Sequence, residues 1–419
     1  MVRGLYMKLI KKSRRSFLHL MTLSIFFRYG HAQENSPSLH KDKVDFDDEE
    51  YHSTLIFRKD KNQLVQPEEF YKESDGDDFT GCINKAIEEA VERNKAILFS
   101  RKYRISDTIK LLDNTTIIGE KGSELFCDEN VPITLIEAND RKNIKIYGVN
   151  FNGNVIGVIK KNYTRVVRFI NCKGVLLQKI TSGNNADWCI SFEGCSDVFV
   201  ADLIIYGGGR GLPGGRDGIH FLDCSNFTIK RAVIDSGDDC VGITTKFKNS
   251  REGYISDVVG SSEIGSVVIY NEELLAEKNY STNDMVGLRI KNISVLEGSK
   301  PKNIVRVIAY NKNSSIRNVT LDGISGSSLN HSVFIGNVQN LTIRNVDVFS
   351  VEQHGVYIIN STNINSTFVT GHSETKKYYG VSIVKCHNVF GDFTSIDNNI
   401  PEHANLQDNT EVKIRQKLK

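Results

Sequence analysis

Two short segments set carboxylates beside glycine: Gly215-Arg216-Asp217-Gly218-Ile219-His220 and Ser236-Gly237-Asp238-Asp239-Cys240. Asp217 precedes Asp238 and Asp239 by 21 and 22 residues. Asp-Gly and Gly-Asp-Asp are common turn sequences, so each segment alone reads as a turn. A chain that returns to the same place after one such interval would instead bring the three aspartates onto one patch. Neighbouring carboxylates repel, which raises the pKa of at least one and sets a proton donor beside a proton acceptor. Glycosidic hydrolysis uses that division: one carboxylic acid protonates the leaving oxygen while a carboxylate activates water. The glycine-rich stretch 207–215 lies directly before the first segment.

A returning chain is what the rest of the sequence supplies. A frame of hydrophobe, two turn residues, Cys or Asn, two further residues and a strand recurs in Phe169-Ile-Asn-Cys172-Lys-Gly-Val175, Phe192-Glu-Gly-Cys195-Ser-Asp-Val198 and Phe221-Leu-Asp-Cys224-Ser-Asn-Phe227. Looser copies surround Leu341, Ile364 and Val389. The frame hydrophobes are 23 and 29 residues apart in the first set and 23 and 25 in the second. Short β-prone strands at that period, with no second helix, predict an all-β, right-handed parallel β-helix whose Cys and Asn columns stack as ladders at the turns. A leucine-rich horseshoe would need a Leu-x-x-Leu-x-Leu frame, which is absent. Ile83, Ala86, Ile87, Ala90 and Val91 recur at helical spacing after Asp77 and Asp78, which can cap a helix. That single amphipathic α-helix is expected to cover the open N-terminal end.

The 419 residues are 39% hydrophobic and 25% charged, with six prolines, enough for a large core without disulfides or metal. Residues 1–32 read as a signal peptide: Lys8, Lys11, Lys12, Arg14 and Arg15 precede the apolar run 17–27, with Gly30 and Ala32 as small residues for cleavage. Ser13-Arg14-Arg15-Ser16-Phe17-Leu18 also has the form of a twin-arginine signal, which would make the product secreted or periplasmic. Residues 33–72 read as a polar linker with at most one short strand, 73–398 as the β-helix and 399–419 as a polar tail. Removing residues 1–32 takes away seven basic side chains and no acid, turning the formal charge from +2 to about −5. Such a surface lacks the basic stripe of a nucleic-acid binder, and nothing apolar enough to hold a membrane remains. The eight cysteines are dilute and follow the repeat, so they are expected as buried thiols.

These blocks resemble the polygalacturonase-like glycoside hydrolases, family 28, which carry Asn-Thr-Asp, Asp-Asp, Gly-His-Gly and Arg-Ile-Lys in order. Asp217 matches the first aspartate, with Gly215 and Arg216 replacing Asn and Thr. Asp238-Asp239 matches the second block, and Arg289-Ile290-Lys291 the fourth. The resemblance implies Asp238 as general acid, Asp217 and Asp239 positioning and activating water, and Arg289 and Lys291 gripping a substrate carboxylate, with inversion and without metal or cofactor. Arg216 and His220 join the expected substrate-binding set. In the third block Gly260 falls where the family has histidine, so a histidine from elsewhere is considered, with His220, His331 and His354 as candidates by column.

Independently of the family, Arg289 and Lys291 lie two residues apart on one strand face and could pair with an anionic sugar or stand as a solvated face. Trp188, next to Asp187 and one coil before Asp217, leads Tyr254, Tyr270 and Tyr310 as a sugar-stacking aromatic. The expected partner is an acidic, pectin-like polysaccharide acted on by a monomer. Two alternatives stay open: a polysaccharide lyase using Arg or Lys as base with calcium, and a glycan-binding β-helix without turnover.

Overall fold

The computed structural model describes residues 63–155, 164–208, 215–276, 278–397 and 400–416. The expected signal peptide, residues 33–62 of the expected linker and most of the glycine-rich stretch lie outside the described residues. What is described is a parallel β-solenoid: a 19-stranded sheet and a 12-stranded sheet whose strands pair almost throughout with the equivalent strand one coil away. The repeat legible in the sequence is the pairing register. Val175 pairs with Val198 and Val198 with Phe227, while Leu341 pairs with Ile364 and Ile364 with Val389.

Alternation along each strand turns one set of side chains into the coil, and stacking lays like upon like. Phe169, Phe192 and Phe221 stack in sequence with ring centroids 5.1 and 5.0 Å apart, all fully buried. Each such ring contributes about 1.5–3 kcal/mol by burial. The cysteines form a parallel ladder, the Cys195 and Cys224 thiols donating to the carbonyls of Phe169 and Phe192 in the preceding coil. All eight are free and buried. At an outer turn Asn318, Asn340, Asn363 and Asn388 all take positive φ, and each later amide donates to the one before at 2.8–2.9 Å.

The predicted helix spans Thr80–Glu92, with the Asp78 carboxylate accepting from Thr80 N–H. Its buried stripe of Cys82, Ile83, Ala86, Ile87 and Ala90 joins the core over the first coil, so it closes the N-terminal end. Strands on both sides of residues 73–398 join the solenoid, Asn405–Gln407 pairing with Val381–Val384 in the smaller sheet among them. Leu64–Val65, within the expected linker, pairs with Ala96–Ile97, and Thr410–Gln416, within the expected tail, pairs with the strand His387–Asp397. Leu64–Val65 is too short to show a period. Thr410–Gln416 offers only Val412 and Ile414 to the core among charged neighbours, which makes it look like a tail.

Candidate active site

Strand Ser225–Ser236 of the larger sheet turns through Gly237 and Asp238 into strand Asp239–Thr245 of the smaller sheet. One coil earlier, the same turn brings Asp217 in front of strand Ile219–Leu222. Stacking therefore converts a sequence interval into contact: one carboxylate oxygen each from Asp217, Asp238 and Asp239 lie within 4.8 Å of one another. Asp239 N–H donates to Asp217 Oδ1 at 3.3 Å, and Gly215 N–H donates to Asp238 Oδ2 at 2.5 Å. Asp217 and Asp239 are buried, whereas Asp238 is half-buried and is the member of the three that reaches the surface.

Burial is the main cause that pushes the Asp217 carboxyl well above the ordinary 3.8, and the Asp238 charge adds to it. Asp239 is pushed the same way by burial and by Asp217 and Asp238, opposed by Arg306. Asp239 Oδ1 is buried with no hydrogen-bond partner among the described residues. Behind Asp217, His220 places Nδ1 2.5 Å from Asp217 Oδ2 and Nε2 2.8 Å from Thr244 Oγ1. An ion pair here would raise the histidine and lower the aspartate, yet burial holds His220 down to about 4 while Asp217 rises. The imidazole is therefore neutral, and its contact with Asp217 is a hydrogen bond rather than an ion pair, with Nε2 and the Thr244 hydroxyl paired behind it. Gly242 makes room for it: a β-carbon there would come within 2.5 Å of His220 Nδ1 and 2.9 Å of Asp217 Oδ2. The far face of His220 is covered by Trp188, stacked at 3.6 Å between centroids, and the Arg165 guanidinium caps Trp188 at 4.1 Å.

The structure gathers some expected residues and separates others. Arg216 is buried, its Nη1 donating to Asn185 O while its carbonyl accepts from Gly237 and Asp238 N–H, so it shapes the aspartate turn from within. His220 is likewise a wall behind Asp217, with both ring nitrogens engaged inside the protein. Arg289 and Lys291 are exposed on strand Met285–Val295 of the larger sheet, in register with Tyr254 and Ser256, and are not brought to the aspartates. Tyr254 shares that sheet. Gly260 also differs from its expected part. A β-carbon there would meet Ser266 Oγ at 2.6 Å and Cys240 Sγ at 3.0 Å, so the position faces the packed interior and has no room for a histidine.

The cation that does reach the cluster is Arg306, on strand Asn303–Ile308 of the smaller sheet. Register carries Asp239 to Gly265 and Gly265 to Asn303, which puts Arg306 two coils from Asp239, close enough to oppose the rise of that carboxyl. Its guanidinium lies 5.8 Å from the Tyr270 ring centroid, and its Nε is buried without a hydrogen-bond partner among the described residues. Tyr270 and Glu272 complete this flank, Glu272 and the two buried aspartates adding to the burial that raises the Tyr270 hydroxyl. The available signal for Arg306 was the alternation of Val305, Arg306 and Val307, inward on either side and outward between.

Residues 98–389 match the model of the family described as glycosyl hydrolases family 28. Polygalacturonase-2 of Solanum lycopersicum is 28% identical over 130 residues, 29% of this chain and 28% of that protein. The match thus spans just over a quarter of that relative's length. Among solved structures, an exopolygalacturonase of Thermotoga maritima superposes with a TM-score of 0.52 at 13% identity, covering 83% of this chain and 92% of that one. The family 28 exopolygalacturonase of Yersinia enterocolitica gives 0.51 at 13% identity, over 85% and 79%. At that identity the two structures speak for the fold alone. The family match covers more than half of the sequence, including all three aspartates, and the chain belongs to glycosyl hydrolase family 28.

Proposed function

We propose that the chain is an inverting glycoside hydrolase that cleaves a uronic-acid-containing, pectin-like polysaccharide with the Asp217, Asp238 and Asp239 cluster. The observation that carries this reading is the convergence of three carboxyls within 4.8 Å, two of them buried and resisting ionisation. Asp238, the member that reaches the surface, donates its proton to the glycosidic oxygen as the bond to the anomeric carbon breaks. A water attacks that carbon and passes a proton to the Asp239 and Asp217 pair. A carboxyl that ionises reluctantly is, once ionised, the stronger proton acceptor, which suits the buried pair to the base role. Arg306, rather than Arg289 and Lys291, is the residue we assign to a substrate carboxylate beside the cluster, by charge-assisted hydrogen bonds from its guanidinium.

Inversion is inferred from the family. Carboxyl groups about 6.5–9.5 Å apart are usual for inverting enzymes and about 5–5.5 Å for retaining ones, so the stereochemistry is a test of this reading. NMR of the first-formed product distinguishes the two: an anomer opposite to the substrate linkage is expected, and the same anomer contradicts inversion. Reducing ends should form from polygalacturonate without an unsaturated, ultraviolet-absorbing product and regardless of chelator. A chelator-sensitive unsaturated product would instead identify a calcium-dependent lyase. Export through residues 1–32, with action as a secreted or periplasmic monomer, completes the reading. N-terminal sequencing of the exported protein is expected to start at Gln33, and a retained residue 1–32 segment would contradict export by this route.

A further inference from the structure

The register column that holds Asp239 does not end at the cluster. Asp239 pairs with Gly265 and Gly265 with Asn303, and the pairings of Val305 with Val333 and Val333 with Val356 continue the line to His331 and His354. At about 4.8 Å per coil, the two histidines stand roughly 14 and 19 Å along the same face from Asp239. There they form a ladder, His331 half-buried, His354 buried and Tyr379 exposed: His331 and His354 rings stack at 5.2 Å, and His354 and Tyr379 at 5.9 Å, each within 9° of parallel. Tyr357 leans on both histidines at 4.7 and 5.1 Å. His354 N–H donates to His331 Nδ1, and Tyr379 N–H donates to His354 Nδ1 at 3.0 Å. The Tyr379 carbonyl is also within 3.2 Å of His354 Nδ1, but the shorter contact is with the N–H. Both rings are then tautomers with the proton on Nε2, a donor for which no protein acceptor is found among the described residues. Burial holds both rings below the ordinary histidine range, His331 down to about 3, so they stay uncharged in working conditions.

A ladder of rings inside a coil has a packing reason, as with Phe169, Phe192 and Phe221. This one lies outside the coil interior and runs from the half-buried His331 and Tyr357 over the buried His354 to a Tyr379 that is 42% exposed, so it offers ring edges and Nε2–H donors at a shallow surface along the face. The geometry points to a distal carbohydrate subsite made by His331, His354, Tyr357 and Tyr379. It takes a sugar unit farther along the polysaccharide chain that enters the aspartate cluster and recognises it by hydroxyls and apolar ring surface, not by a carboxylate. This inference rests on the cluster being the cleavage site.

The test compares trigalacturonate with long oligogalacturonides on wild type, on His331→Ala/His354→Ala and on His354→Gln, which keeps an N–H donor. Loss of the two Nε2–H bonds should raise KM about tenfold for the long substrates, leave kcat unchanged and leave the trimer unaffected. The penalty should persist at high salt, and His354→Gln should recover part of it. Equal KM changes at both lengths, or none at either, overturn the subsite, as does a penalty that salt abolishes. Calorimetric binding of the long oligomers separates this from the cleavage reading. Wild type that binds them in a histidine-dependent way without releasing reducing ends keeps the subsite and removes the hydrolase. Wild type that hydrolyses them as well as the double variant does the reverse.

Discussion

Two stretches of the same solenoid, residues 217–245 and 331–384, share an interior and differ on the outside. Inside, Ile219, Phe221, Val241 and Ile243 in the first match Val333, Ile335, Val356 and Ile358 in the second, all fully buried. Outside, one register column carries Asp239 in the first and His331 and His354 in the second. The interior accepts any hydrophobe of suitable size because each coil needs only to bury its face on the next. The outer column is under no such demand, so charge or aromatic edges can be installed there coil by coil. The first stretch is costly to fold: it buries two carboxyls that resist ionisation and leaves Asp239 Oδ1 without a partner among the described residues. Strain of this kind is expected where a site has been set into a scaffold.

The comparison breaks most visibly at its shared column. Asp239→Asn should lower turnover of polygalacturonate about 10²–10⁴-fold, whereas His354→Asn, two register steps beyond Asn303, should leave kcat intact. Equal losses would mean that the column has no division of labour. The shared interior predicts the opposite symmetry. Phe192→Ala next to the site and Ile358→Ala in the ladder region should cost about 3–5 and 2–5 kcal/mol in denaturant melts, with activity surviving in whatever fraction stays folded. A negligible loss in either region would show that its core is not the repeat described.

Gly242→Ala sharpens the contrast at smaller cost. Its methyl would press on His220 and Asp217, costing about 1–3 kcal/mol and lowering kcat, because neither side chain is free to yield. Alanine at Gly336, where a β-carbon would find neighbours only at 3.5 Å or beyond, should be tolerated. The smallest effects are those of pH. A carboxyl raised on folding stabilises below its ordinary 3.8 and loses that contribution as pH climbs through the folded value, so Asp239→Asn should raise the melting midpoint near neutrality and less so in acid. The histidines run the other way: lowered on folding, His220 and His331 withdraw stability as pH falls from 6.5 toward about 4 and about 3. A midpoint for Asp239→Asn that is lower than wild type at neutral pH would contradict the buried-carboxyl account.

Much of this was legible in the sequence because the period itself is structural. The frame hydrophobes Val175, Val198 and Phe227 became direct ladder partners, and the interval from Asp217 to Asp239 became one coil. A period does not say which face of a coil a strand occupies when coil length varies. Between Asp239 and Arg306 the chain inserts the hairpin Glu273–Leu274 with Asn279–Tyr280 and an extended turn near Gly298, so Arg-Ile-Lys at 289–291 fell on the larger sheet while an arginine in a plain Asn-Ile-Val-Arg strand reached the site. Gly260 failed for a related reason: a motif position aligned by spacing proved to face inward, and only the neighbouring Cys240 and Ser266 reveal that. Burial of Arg216 and His220 was equally hidden, since polar residues beside an aspartate read as contacts for a ligand before the coils above and below them are known.

The most direct test of the central claim is reducing-end release from polygalacturonate by wild type, Asp238→Asn and Asp217→Asn, with oligogalacturonide binding measured on the same proteins. The account predicts that wild type turns over and that each substitution removes turnover by orders of magnitude while binding and folding persist. Turnover that survives in both variants would contradict it.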